Sequence, residues 1–167
     1  MSDPRQAPFA AYGTPVREAW IDYNDHLNDA CYPIVCTEAT EVFLTALGLG
    51  EAYHVATGCT TYTVEAHLRY LREVTRGELL SAATLLVGAD PKRVQIHHSL
   101  RNGAGDEVAT GEFLYLHVNQ QTGRVEPMPA DRLALLRDVL AAHATQPRPA
   151  HLVLGVPRAA DRAKLGP

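Results

Sequence analysis

The sequence predicts an α+β domain in which one long helix precedes an antiparallel sheet. Three observations carry that expectation. Between Ala30 and Leu47, the apolar residues Val35, Ala39, Val42, Phe43, Ala46 and Leu47 recur at helical spacing. Between Thr60 and Val118, four segments have strand-like composition and period-two alternation. The links Ala89-Asp90-Pro91 and Asn102-Gly103-Ala104-Gly105-Asp106 have the length and chemistry of hairpin turns.

Residues 1–8 read as a loose polar leader. Tyr12, Thr14, Val16 and Trp20 fall on even positions, which predicts a first strand ending near Ile21, with Pro15 confined to an edge or a bulge. A polar loop, Asp22 to Asp29, leads into the helix. That helix has only a narrow polar stripe (Glu38, Glu41, Thr45), so it should be largely buried. Asn28 or Asp29 can cap it, Pro33 falls in its first turn, and Gly48 or Gly50 can end it. Residues 49–58 read as a loop with a short helical turn.

The first later strand, Thr60–Leu71, places Tyr62, Val64, Ala66, Leu68 and Tyr70 on one face. Thr61, Thr63, Glu65, His67 and Arg69 fall on the other. The next strands are Leu79–Gly88, Lys92–Arg101 and Val108–Val118. Leu133, Leu136 and Leu140 mark a C-terminal helix reaching about His143. Residues 1–145 are expected to form one domain. The tail 146–167 carries four prolines and is expected to be extended or mobile. The polar face around Glu65 and His67 does not suit burial under the helix. It suits a cleft or a second subunit.

Composition narrows the partners. The chain has 167 residues, 46% hydrophobic and 20% charged, with a net charge of −4. Long disorder and collagen-like structure are excluded by that balance. No nucleic acid is expected, because phosphate-backbone binding needs clustered Lys and Arg. There is no apolar run of 18 residues, so no membrane span is expected. The N-terminus lacks the apolar core of a signal peptide. Cys31, Cys36 and Cys59 form no CxxC pair and no even framework, which fits a reducing cytoplasm. No metal is expected, since no HExxH or Cys/His ligand spacing occurs and His97-His98 points to opposite faces of a strand.

The densest chemical signal is Trp20-Ile21-Asp22-Tyr23-Asn24-Asp25-His26-Leu27-Asn28, just before a helix N-terminus. Such an end offers unpaired N–H groups and partial positive charge, which can hold a developing oxyanion. A carboxylate in the preceding loop can attack a carbonyl or deprotonate water. The plainer alternative is turn and cap chemistry, which also favours Asn and Asp. Lys92-Arg93, after a tight turn, suits phosphate groups, or is a solvated hairpin end. Trp20, Tyr23, Tyr53 and Tyr62 could offer aromatic faces to a quaternary ammonium, or belong to the core.

The run Asp22-x-x-x-His26-x-Asn28, with Tyr32 opening a buried helix ahead of antiparallel strands, resembles the hot-dog fold of the 4-hydroxybenzoyl-CoA thioesterase type. That resemblance covers roughly residues 12–120. It implies a five-stranded antiparallel sheet wrapped around one central helix, with a further C-terminal helix. It places Asp22 at the family's catalytic carboxylate and Glu38 where many members carry a helix glutamate. A narrower resemblance rests on four segments in order: Trp20-Ile21-Asp22-Tyr23-Asn24-x-His26, Tyr62-Thr63-Val64-Glu65-x-His67-x-Arg69, Ala89-Asp90-x-Lys92-Arg93 and Leu116-His117-Val118. These are similar to betainyl-CoA thioesterases, which hydrolyse betainyl-CoA to glycine betaine and CoA in carnitine breakdown. The chain departs from that family at Asp25, where members carry glycine.

The resemblance implies an acyl-CoA substrate and no separate cofactor. Asp22 would be nucleophile or general base, with Asn24, His26 and Asn28 shaping the loop. Trp20, Tyr23, Tyr62, Glu65 and His67 would meet the acyl group, and Lys92 and Arg93 the CoA phosphates. A sheet with open edges implies a homodimer or a tetramer of dimers. Two rivals remain at this stage: a non-catalytic acyl-CoA or quaternary-amine binding protein, and a hot-dog enoyl-CoA hydratase. The hydratase motif has a proline that this chain lacks, and its histidine falls one residue later.

Overall fold

Strand β1 (Phe9–Pro15) begins the chain's regular structure in the computed structural model, which describes residues 2–155. It is followed by a 3-10 turn (Glu18–Trp20), helix α1 (Cys31–Ala46) and helix α2 (Glu51–Thr57). Then come β2 (Cys59–Tyr70), β3 (Leu79–Ala89), β4 (Arg93–Arg101), β5 (Glu107–Asn119), the short β6 (Arg124–Val125) and helix α3 (Ala130–His143). The sheet runs β1-β3-β4-β5-β2, with β6 beside β5, and every pairing is antiparallel.

Helix α1 forms because its apolar residues have a surface to bury. Val35, Cys36, Ala39, Phe43 and Leu44 are all buried beneath the sheet, with Phe43 fully buried and its ring tilted by 47° against Phe9, centroids 5.1 Å apart. Burial of one such ring contributes about 2–3 kcal/mol. The helix ends at Gly48, whose φ of 68° only glycine adopts freely. Its N–H donates to Thr45 O and that of Leu49 to Leu44 O, the paired bonds of a Schellman stop. Gly111 sets how closely the helix approaches β5. A Cβ there would meet the Phe113 ring at 2.7 Å and Cys36 Sγ at 3.0 Å.

The inner face of β4 carries Val94, Ile96, His98 and Leu100, all buried as the alternation predicts. His98 is the polar exception. Its Nε2 lies 2.9 Å from Thr40 Oγ1 and its Nδ1 2.9 Å from Thr84 Oγ1, and Thr40 Oγ1 also meets Tyr115 OH at 3.0 Å. A buried imidazole needs such partners.

Three expectations change. The first strand ends at Pro15 rather than near Ile21, because residues 18–20 turn to drive Trp20 into the core. The alternation of β2 is broken by a bulge. Thr63 pairs with Tyr115 but Glu65 pairs with Leu114, leaving Val64 as the extra residue. Thr61 and Thr63 therefore share the inner face with His117 and Tyr115, while Glu65, His67 and Arg69 share the outer face with Leu114, Glu112 and Thr110. One polar face becomes two. Finally, the start of the tail is anchored. The N–H groups of Val153 and Leu154 donate to the buried Glu112 carboxylate at 2.8 and 3.1 Å, and Gln95 Nε2 donates to Leu154 O at 3.0 Å. The rest of the tail, 156–167, lies outside the described residues.

Candidate active site

The Asp22 loop is a closed backbone circuit. Asp22 N–H donates to His26 O at 2.9 Å, Asp25 N–H to Asp22 O at 3.1 Å, and Asn28 N–H to Trp20 O at 2.9 Å. Leu27 N–H reaches Val74 O at 2.7 Å, tying the loop to the segment after β2. Asn24 N–H donates to Asp22 Oδ1 at 2.8 Å, an Asx turn that fixes the carboxylate. Asp22 itself is half-buried, while Tyr23, Asn24 and Asp25 around it are exposed.

The loop delivers the chain to the α1 N-terminus. Asn28 Oδ1 and Asp29 Oδ1 both accept from Ala30 N–H at 2.9 Å, and Asn28 O accepts from Cys31 N–H at 2.9 Å. Pro33 has no N–H to offer. Among the described residues, the N–H of Tyr32 has no partner in this first turn. Tyr32 N–H is thus open at the helix end that follows the Asp22 carboxylate. The sequence pointed to this end, but Tyr32 N–H emerges only when its neighbours' bonds are followed individually.

Asp25 sits in left-handed backbone geometry, with φ 62°. The family resemblance implies glycine at this position, and aspartate is among the residues that enter this region at least cost. Its carboxylate lies 3.4 Å from Arg76, which also pairs with Glu18. Asp25→Gly should therefore change stability by less than about 1 kcal/mol, since an exposed pair is lost but strain is relieved. Asp25→Val, which branches at Cβ, should cost about 1–2 kcal/mol. Urea titration of both variants checks this.

Beyond the backbone bonds of the loop, among the described residues no side chain of another predicted site residue contacts the Asp22 carboxylate. His26 Nε2 lies 3.5 Å from Glu73. Trp20 is buried, and the Arg17 guanidinium lies 4.3 Å from its ring centroid. Arg17 in turn pairs with Glu38 at 2.8 Å, and Tyr12 OH donates to the same carboxylate. The family's helix glutamate is thus engaged, by partners that lie 21 and 26 residues away and give no local signal. Tyr53 OH is 3.0 Å from His117 Nε2, and Tyr62 OH accepts from Gln120 Nε2 at 2.9 Å. Tyr23 is 95% exposed. No ring contact joins these four aromatics, so no cage forms within one chain.

Glu65 is exposed on the outer face, and His67 Nδ1 is 4.0 Å from Glu112. Arg93 is held by Asp90 through contacts of 2.8 and 2.6 Å, and Lys92 is exposed. The Arg93 side chain and the Lys92 and Arg93 amides hold the Asp90 carboxyl below its usual range, despite the opposing effect of burial. Among the described residues, no three His, Cys, Asp or Glu side chains are grouped as metal ligands. No single helix is long and apolar enough to cross a membrane.

The curled antiparallel sheet around α1 is a hot-dog fold. A hypothetical protein of Staphylococcus aureus, solved in complex with CoA, superposes with a TM-score of 0.81 at 23% identity, over 90% of this chain and 96% of that one. The thioesterase-like superfamily model matches residues 16–141, and the chain belongs to that family. A betainyl-CoA thioesterase of Pseudomonas aeruginosa is 38% identical over 149 residues, 87% of this chain and 94% of that protein. The L-carnitine dehydrogenase/betainyl-CoA thioesterase of Agrobacterium fabrum is also 38% identical, over 89% of this chain. The chain spans only 30% of that longer protein.

Proposed function

We propose that the chain hydrolyses an acyl-CoA thioester, with betainyl-CoA as the substrate. The observation that carries this reading is the placement of an Asx-fixed carboxylate, Asp22, just ahead of a helix end with an open amide at Tyr32. The thioester carbonyl oxygen would accept from Tyr32 N–H, which strengthens as negative charge develops there. Asp22 would attack the carbonyl carbon, expelling CoA thiolate and leaving a mixed anhydride that water then opens. Alternatively, it would take a proton from water as that water attacks. Asn24, His26 and Asn28 hold the loop. The betainyl group is supported by the name and coverage of the Pseudomonas aeruginosa relative.

The unit of function in this reading is a homodimer. Arg93 pairs with Leu116, as does Tyr62, at one end of the sheet. Tyr70 and Leu100 pair with Ala109 at the other end, where Tyr70 OH donates to Asp29 O beside the Asp22 loop. Leu116 lies seven residue steps along β5 from Ala109, about 24 Å of strand. A single chain therefore keeps its Lys92-Arg93 hairpin far from its Asp22 loop. Strand β2 is a long edge, with Tyr62, Val64 and Tyr70 each about half exposed. Antiparallel pairing of β2 with a second β2 lays each chain's hairpin end beside the other's Asp22 end. It also puts Glu65 and Tyr62 near the axis. Pairs of such dimers would give a tetramer.

The test is CoA release from betainyl-CoA, set beside its uncharged isostere 3,3-dimethylbutanoyl-CoA and an aromatic acyl-CoA. Betainyl-CoA should be turned over fastest. No thiol release from any of the three would overturn the thioesterase reading. Preference for the neutral isostere would overturn the betainyl assignment alone. Val64→Lys with Tyr70→Lys should convert a dimer to a monomer on sedimentation and abolish turnover. A fully active monomer would sink the shared site.

A further inference from the structure

The outer face of the sheet, turned away from α1, carries a cavity. One rung of its floor runs Arg69, Thr110, Ser99 and Ala83 across β2, β5, β4 and β3. The next rung contains His97 and Leu85. Helix α1 packs on the opposite face, where Cys36 meets Gly111. Residues 146–151 partly roof the space, a half-open cleft of about 590 Å³. That volume falls within the range of small-molecule sites. The roof is fixed at both ends, by α3 on one side and by the bonds from Val153 and Leu154 to Glu112 on the other.

The charge of this cavity opposes that of the chain. Arg69, Arg101 and Arg148 line it, with His97 and His151 beside them. Glu107 is the one carboxylate in the lining, and its Oε1 already accepts from Ser99 Oγ at 2.5 Å. Among the described residues, none of the three guanidiniums forms an ion pair, while six other arginines do. Arg124 and Arg137 also lack an ion pair among the described residues, and Arg101 Nη1 donates to Gly105 O at 2.8 Å; what sets this cavity apart is that three such guanidiniums line one space in a protein of net charge −4. Pro8, Leu71 and Leu85 add an apolar surface next to them. Planar guanidinium forks suit phosphate oxygens, and the apolar surface suits an organic body.

We propose that this partly roofed cavity binds an organic phosphate of nucleotide size carrying at least two negative charges. The site lies on the far face from Asp22; its CoA arm rests on the thioesterase reading, and its free-nucleotide arm does not. The shared chemistry has two sources, the 3′-phosphoadenosine end of CoA and a free nucleotide. Calorimetry on the full chain with adenosine 3′,5′-bisphosphate, ADP and adenosine tests it. Saturable binding of at least one phosphorylated probe is expected, with none for adenosine. Binding of the bisphosphate alone indicates CoA, and binding of ADP as well indicates a free nucleotide. Arg101→Ala with Arg148→Ala, both exposed and outside the catalytic loop, should weaken binding more than tenfold and leave the melting temperature unchanged. Lys92→Ala should leave it intact. Absence of saturable binding to the wild type, unchanged affinity in the double arginine variant, or loss through Lys92→Ala alone would each overturn the proposal.

Discussion

Asp22→Asn should lower CoA release by about 10³-fold, the middle of the range for removing a general base or a nucleophile from a positioned site. The fold should survive. Among the described residues, the one side-chain bond that Asp22 makes is the acceptance from Asn24 N–H at 2.8 Å, and an asparagine oxygen accepts the same bond. The loop circuit through Asp22 N–H, Asp25 N–H and Asn28 N–H is all backbone and does not depend on the charge. Circular dichroism and melting temperature should therefore match the wild type while kcat falls. Asp22→Glu keeps the charge but moves it by one methylene, about 1.5 Å. Displacement on that scale costs about 10²-fold when attack geometry is at issue. Turnover in ¹⁸O-water separates the two roles of Asp22. Label in the protein at Asp22 marks the anhydride route, and label confined to the released acid favours activated water. Wild-type rates in Asp22→Asn would remove Asp22 from the chemistry.

The features that could be read in the sequence are those set by local pattern. The α1 boundaries followed from apolar spacing and from the glycines after it, Gly48 or Gly50, and the Schellman stop at Gly48 decides between them. β4 and its inward His98 followed from strict alternation. The left-handed position of Asp25 was foreshadowed by the glycine that the family resemblance implies there. What stayed hidden depends on partners far along the chain or on a single extra residue. Val64 looks like any other member of an alternating strand. Only its register against β5 shows that it moves Glu65 and His67 to the face opposite Thr63. Arg76 reaches Asp25 across 51 residues and Arg17 reaches Glu38 across 21, with no local cue for either. Glu112 did leave a trace, a lone carboxylate in the run Phe113-Leu114-Tyr115-Leu116 and its flank. A buried acid in a strand needs donors, and the tail supplies two.

The largest pH effect on stability should come from His98. Burial away from water, with a smaller repulsion from His97, pushes its pKa down to about 3. An unfolded histidine titrates near 6.5. Between those values the unfolded chain binds a proton that the folded chain refuses. Stability from this group is thus complete above pH 6.5 and is lost as pH falls towards 3. By pH 4 the loss should be about 3 kcal/mol. That is a large part of the 5–15 kcal/mol typical of a domain. His97 and His143 are shifted down in the same sense, each mainly by burial, and add to the slope. Carboxylates contribute as well, so the decisive measurement is a comparison. In His98→Gln, the amide can bond Thr40 and Thr84 but does not titrate, and the two threonine oxygens that hold the ring remain in place. Urea unfolding from pH 7 to pH 4.5 should show a clearly shallower fall in the variant, whatever its stability at pH 7. Parallel slopes in the two proteins would mean that His98 takes up its proton in the folded core, against the desolvation cost that its burial between α1 and the sheet imposes.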